Sequence, residues 1–149
     1  MLTARISTLP LTPPVTVESG TSVGALVDKV HEARVGCVLV ADGGRLVGII
    51  TERDMLLKVV ARDVSYSEPV GKFMTPDPVT LSPDDTIGDA ANIMNERNFR
   101  HVPIVDANGQ ATGIVSIKDI ISIVAESFPE QVLNLPPRPH QKMETPEGG

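Results

Sequence analysis

Two short stretches carry residue types at a spacing that chemistry could use: Thr51-Glu52-Arg53-Asp54 and Ser116-Ile117-Lys118-Asp119. In each, a hydroxyl is followed three residues later by a carboxylate. Two readings share this pattern. A Ser or Thr with an acid three residues on forms a capping box, which stabilises a helix start by about 1 kcal/mol. The same helix N-terminus presents N–H groups and partial positive charge, a natural seat for phosphate. The hydroxyl can then donate to a phosphate oxygen, and the carboxylate can accept from two vicinal ribose hydroxyls. Spacing alone leaves both readings open.

Each stretch closes a larger repeat. Gly48-Ile49-Ile50-Thr51-Glu52-Arg53-Asp54 returns as Gly113-Ile114-Val115-Ser116-Ile117-Lys118-Asp119, each at the end of a similar run of about 45 residues. The halves superpose with an offset of 64 from Val15 to Asp42 and of 65 from Gly48 onward. The one-residue step falls in a turn, where Asp42-Gly43-Gly44-Arg45 becomes Asp106-Ala107-Asn108-Gly109-Gln110. A unit that cannot bury its apolar face alone is thus present twice, and any polar group it places is placed twice.

The elements that must position these groups read β-α-β-β-α in each half. The first strand is short, Val15–Val17 and then Val79–Leu81. Helices opening at Ser22 and Thr86 show one-faced spacing, with Val23, Leu26, Val27 and Val30 in one and Ile87, Ala90, Ala91 and Met94 in the other. Hairpins join Cys37–Val40 to Leu46–Ile50 and Val102–Val105 to Thr112–Val115. A second amphipathic helix is expected to bury Met55, Leu56 and Val59, or Ile120, Ile121 and Val124. These spacings give repeats at 8–62 and 79–127, a Pro-marked linker at 63–78, and a Pro-rich, flexible tail at 128–149.

Composition narrows the function classes. The chain has 149 residues, 41% hydrophobic and 21% charged, as expected of one compact globular unit. Aromatic residues make up 3%, the net charge is -6 and no basic stripe is present, which argues against nucleic acid. No apolar run reaches the roughly 20 residues needed to span a bilayer. No signal-peptide core follows Met1, and the single cysteine, Cys37, sits in an apolar run as a buried, inert thiol. A cytoplasmic location is therefore expected. His31, His101 and His140 fall in a helix, a hairpin entry and the tail, and no metal-ligand spacing, P-loop or nucleophile–base set is evident.

The doubled motif resembles the cystathionine-β-synthase (CBS) domain, in tandem. The resembling residues run from Val38 to Asp54 in the first half. In the second they are Arg100–Asp106 and Gly113–Asp119, with Met74-Thr75-Pro76 matching the family's lead-in; the resemblance covers about residues 8–127. It implies an α+β fold of two repeats about a pseudo-twofold axis, each a three-stranded sheet against two helices, with two clefts between them. It also implies a homodimer and an adenosine-containing ligand: AMP, ADP, ATP or S-adenosylmethionine. By position, Asp54 and Asp119 take the ribose role and Thr51 and Ser116 lie near phosphate. Segments around Val15 and Val79 line the base pocket, and Arg100-His101 reaches the phosphates. Gly36-Cys37 stands at the corresponding place in the first half and supplies no cation, so the clefts are expected to differ.

The resulting expectation is a sensor without catalysis of its own, reporting to a separate effector protein. Its rivals are a dimerisation module whose clefts bind nothing and a nucleotide-processing enzyme using Asp54 or Asp119. The latter lacks a second carboxylate at suitable spacing and any Mg²⁺ cage.

Overall fold

The computed structural model describes residues 2–127; the tail segment 128–149 lies outside the described residues. The order of elements is β1 (Thr16–Val17), α1 (Val23–Ala33), β2 (Cys37–Asp42), β3 (Arg45–Thr51) and α2 (Glu52–Asp54), which continues as a π-helix over Met55–Val60. There follow β4 (Thr75–Pro76), α3 (Ile87–Arg97), β5 (His101–Val105), β6 (Ala111–Ser116) and α4 (Ile117–Ser127). This is a mixed α+β fold built from two β-α-β-β-α units.

The units repeat each other down to their local devices. Ser22 and Thr86 cap α1 and α3, accepting from the N–H groups of Ala25 and Asp89. Both helices end on a left-handed residue, Arg34 at φ 56° and Asn98 at φ 57°. Both hairpins carry a bulge at the same place, Val40/Ala41 and Ile104/Val105. The first strand differs between the halves. β1 pairs in parallel with β2, where the Leu39 N–H donates to the Val15 carbonyl at 2.9 Å. Pro103 stands where Leu39 does and has no N–H to give. The expected strand Val79–Leu81 therefore contracts to a single parallel bridge, Leu81 with Ile104.

The halves complete each other. β4, from the segment between them, adds to the edge of β3, with Thr75 opposite Ile49. Reciprocally, Thr12 pairs with Ile114 on β6. The segments just upstream do likewise. Val70 N–H donates to Thr21 carbonyl and Gly71 N–H to Ser19 carbonyl, while Ile6 N–H donates to Asp85 carbonyl and Ser7 N–H to Pro83 carbonyl. The core of the first half thus contains Val70, with Phe73 and Met74 packed on it. That of the second contains Ile6, with Leu11 packed on it. The segment expected to link the halves also finishes the first of them.

β2 is apolar on both faces for a reason. Val38 and Val40 face the first core, whereas Cys37 and Leu39 join Ile49, Ala111 and Ile114 in a seam between the two hairpins. The second helices depart from expectation. Val59 is buried and Met55 partly so, but Leu56 is 58% exposed, Ile121 60% and Val124 41%. Only one flank of each helix meets its own sheet, so these residues form an outward apolar face.

Candidate functional site

The ends of the two hairpins meet at the seam, and a cleft of about 140 Å³ opens there. Val15, entering β1, and Gly36 and Cys37, entering β2, supply one wall; His101, Ser116 and Asp119 supply the other. The structure thus brings together four of the residues singled out in the sequence: Val15, His101, Ser116 and Asp119. Thr51, Asp54, Val79 and Arg100 are not among the residues lining this cleft; Thr51 lines a neighbouring groove and Arg100 is exposed.

Both hydroxyl–carboxylate motifs make the complete capping box. Asp54 Oδ2 accepts from Thr51 N–H at 3.0 Å and from Thr51 Oγ1 at 3.2 Å, and Asp54 N–H donates to Thr51 Oγ1 at 3.3 Å. In the second half, Asp119 Oδ2 accepts from Ser116 N–H at 2.8 Å and Ser116 Oγ at 3.1 Å, with Asp119 N–H returning to Ser116 Oγ at 3.2 Å. Further donors at these helix starts are engaged: Glu52 N–H donates to Gly36 carbonyl and Ile117 N–H to Arg100 carbonyl.

The second carboxylate oxygens differ. Asp54 Oδ1 lies 3.2 Å from Lys58 Nζ. Asp119 Oδ1 makes no hydrogen bond or ion pair with any described residue, and its carboxylate borders the cleft. One acid has both oxygens engaged, and the other keeps an acceptor oxygen without a partner among the described residues. The two halves of the sequence hold the signal for this difference, since Ile123 occupies the place of Lys58.

Burial sets the protonation of the wall. The Cys37 thiol is pushed up to about 12, chiefly by burial and further by the charge of Asp54, so it is neutral and unreactive. His101 is held below its ordinary value by burial; Glu52 and Asp119 oppose that, and Arg100 and Lys118 add to it. It is neutral at pH 7. A second groove of about 390 Å³, largely apolar, lies between α1 and the α2–π segment and shares Gly36 and Cys37 with the cleft.

The CBS domain model matches this chain twice, at residues 6–61 and 70–126, and the chain belongs to that family as a tandem CBS pair. It is 35% identical over 120 residues to an uncharacterized 17.7 kDa protein of Acidianus ambivalens, covering 80% of this chain and 72% of that protein. Longer relatives match over less of their length, such as 20% of the CBS domain-containing protein CBSCBSPB3 of Arabidopsis thaliana. Among solved structures, a CBS domain protein of Pyrobaculum aerophilum complexed with AMP superposes with a TM-score of 0.73. It is 28% identical and is covered over 99% of its length, against 83% of this chain. The CBS pair of protein MJ0100, complexed with 5′-methylthioadenosine and S-adenosyl-L-methionine, gives a TM-score of 0.75 at 26% identity, over 83% of this chain and 98% of that one. No helix among the described residues is long and apolar enough to cross a membrane.

Proposed function

We propose that this chain is a regulatory module that binds an adenosine-containing ligand in the cleft between its halves and carries out no catalysis. One observation carries the reading: Val15 of the first half shares a cleft with Ser116 and Asp119 of the second, and Asp119 Oδ1 is left unengaged by any described residue. Asp119 holds the ribose hydroxyls, Ser116 lies beside the 5′ group, and the backbone around Val15 meets the base. AMP, ADP, ATP and S-adenosylmethionine all share the adenosine addressed here. Asp54 and Thr51, with Val79 and Arg100, would serve a second and weaker site.

A ligand touching both halves favours one of their relative arrangements, to the extent that it binds that arrangement better. The chain works as a cytoplasmic homodimer through the outward face of its second helices, where Leu56, Val60 and Ile121 are each more than half exposed. Its signal is read by a separate effector protein.

A second reading is supported by the completeness of both capping boxes: a dimerisation module in which Asp54 and Asp119 serve only to start helices. A thermal-shift screen of AMP, ADP, ATP, S-adenosylmethionine and NAD, followed by calorimetry, separates the two. A ligand at 100 times its dissociation constant adds about 2.7 kcal/mol of stability. The sensor reading expects a shift that Asp119→Ala abolishes and Asp54→Ala retains. No shift with any compound would leave the dimerisation module.

A further inference from the structure

We propose that Glu52 sets the charge selectivity of the cleft, so that it accepts adenosine ligands whose 5′ substituent is uncharged, cationic or a single phosphate and disfavours the triphosphate. This rests on the adenosine reading of the same cleft.

Three observations converge. First, no lysine or arginine is among the cleft's lining residues, and its ionisable side chains are Asp119, His101 and Cys37. The thiol and the imidazole are neutral at pH 7, leaving Asp119 as the lining charge. Second, the Glu52 carboxylate lies against Gly36, a residue that the cleft shares with the neighbouring groove lined by Glu52. A Cβ built on Gly36 would lie 2.6 Å from Glu52 Oε1, so a side chain at Gly36 would displace the carboxylate from its present place. The Glu52 charge also reaches His101, where it opposes the effect of burial. Third, donors that a phosphate chain would seek at the start of α4 are already used, Ile117 N–H by Arg100 carbonyl and Asp119 N–H by Ser116 Oγ.

Asp119 thus lines the cleft and Glu52 stands just outside its lining, beside Gly36; Glu52, Arg100 and Lys118 are all exposed. Each added phosphate brings negative charge toward Glu52 and Asp119, whereas a sulfonium or amine is drawn to them. The corresponding residue of the second half is Ile117, so the acid belongs to one side of the molecule only.

The test is calorimetry of the full chain with 5′-methylthioadenosine, AMP and ATP at pH 7.5, without divalent cations, at low and high salt. Wild type is compared with Glu52→Gln and Glu52→Lys, and circular dichroism melts confirm that each variant is folded. ATP is expected to bind roughly tenfold more weakly than AMP in wild type, a gap that salt narrows. Glu52→Gln should shrink the gap and Glu52→Lys should close or reverse it, with 5′-methylthioadenosine little affected. ATP binding as tightly as AMP in wild type, or a ratio untouched by Glu52→Lys, would overturn the selectivity while leaving the adenosine reading intact. No binding of any of the three would overturn both.

Discussion

Lys58 Nζ sits 3.2 Å from Asp54 Oδ1 and also donates to the Phe73 carbonyl at 3.2 Å, tying the acid of the first motif to the segment that completes the first half. Asp54 is 13% exposed and Lys58 40%, so the pair is only partly screened by water. Ile123 stands where Lys58 would in the second half. The two acids, alike in sequence, therefore have different surroundings. Lys58→Met is expected to lower stability by about 0.5–1 kcal/mol in urea titration, without weakening ligand binding. Ile123→Lys should give Asp119 a counterion and weaken nucleotide binding several-fold in calorimetry. Equal effects of both substitutions on binding would contradict the assignment.

The exchange of lead-in segments places Gly48 against Met74 and Gly113 against Leu11. A Cβ on Gly48 would also come within 3.1 Å of the Thr75 carbonyl, and one on Gly113 within 3.0 Å of Leu11 side-chain atoms. Both glycines are buried. Gly48→Ala and Gly113→Ala are each expected to cost about 1–3 kcal/mol by chemical denaturation. Leu11→Ala should partly relieve Gly113→Ala, giving a non-additive double-mutant cycle. Strict additivity would mean that the contact carries no energy.

The same exchange predicts where the chain can be cut. Residues 13–76 contain the first core complete with Val70, Phe73 and Met74, whereas residues 1–64 lack all three. A fragment spanning 13–76 should melt cooperatively and one spanning 1–64 should not. The reverse outcome in paired calorimetric scans would show that the lead-in is dispensable.

What the sequence disclosed was mainly local. The caps at Ser22 and Thr86, the hairpins and the bulge-bearing turns depend on neighbours within a few residues. Pro103 was visible too, and its missing N–H accounts for the strand that Val79–Leu81 does not form. The pairing of Thr12 with Ile114 joins residues far apart in the chain, and no periodicity announces it. Helical spacing marked Leu56 and Ile121 as apolar but could not say which partner covers them. At the site, the two motifs read alike because their difference lies one helical turn further on, at Lys58 and Ile123, and the place of Glu52 beside Gly36 depends on a contact distant in sequence.

His101 makes stability depend on pH in a defined sense. Burial holds its folded-state pKa below the ordinary 6.5, against the attraction of Glu52 and Asp119 and with the help of Arg100 and Lys118. The unfolded chain therefore binds the proton more readily. The contribution is fully present above about pH 6.5 and is lost as pH falls through the folded-state value. Urea midpoints measured between pH 7.5 and 5.0 should fall more steeply for wild type than for His101→Gln. Parallel curves would remove His101 from the balance.

Leu56 and Ile121 occupy the same position in the two repeats, are 58% and 60% exposed, and lie with Val60 and Val124 on helices whose opposite flanks pack on their own sheets. An apolar face of this kind is costly to leave in water, and a second copy of the chain offers a matching one by symmetry. Light scattering of the wild type at micromolar concentration is expected to give twice the 15.9 kDa chain mass. The double variant Leu56→Glu/Ile121→Glu should give the single mass with secondary structure retained, because neither side chain contributes to a buried core. A monomeric wild type would exclude the dimer, whereas a dimer that survives both charges would place the interface elsewhere.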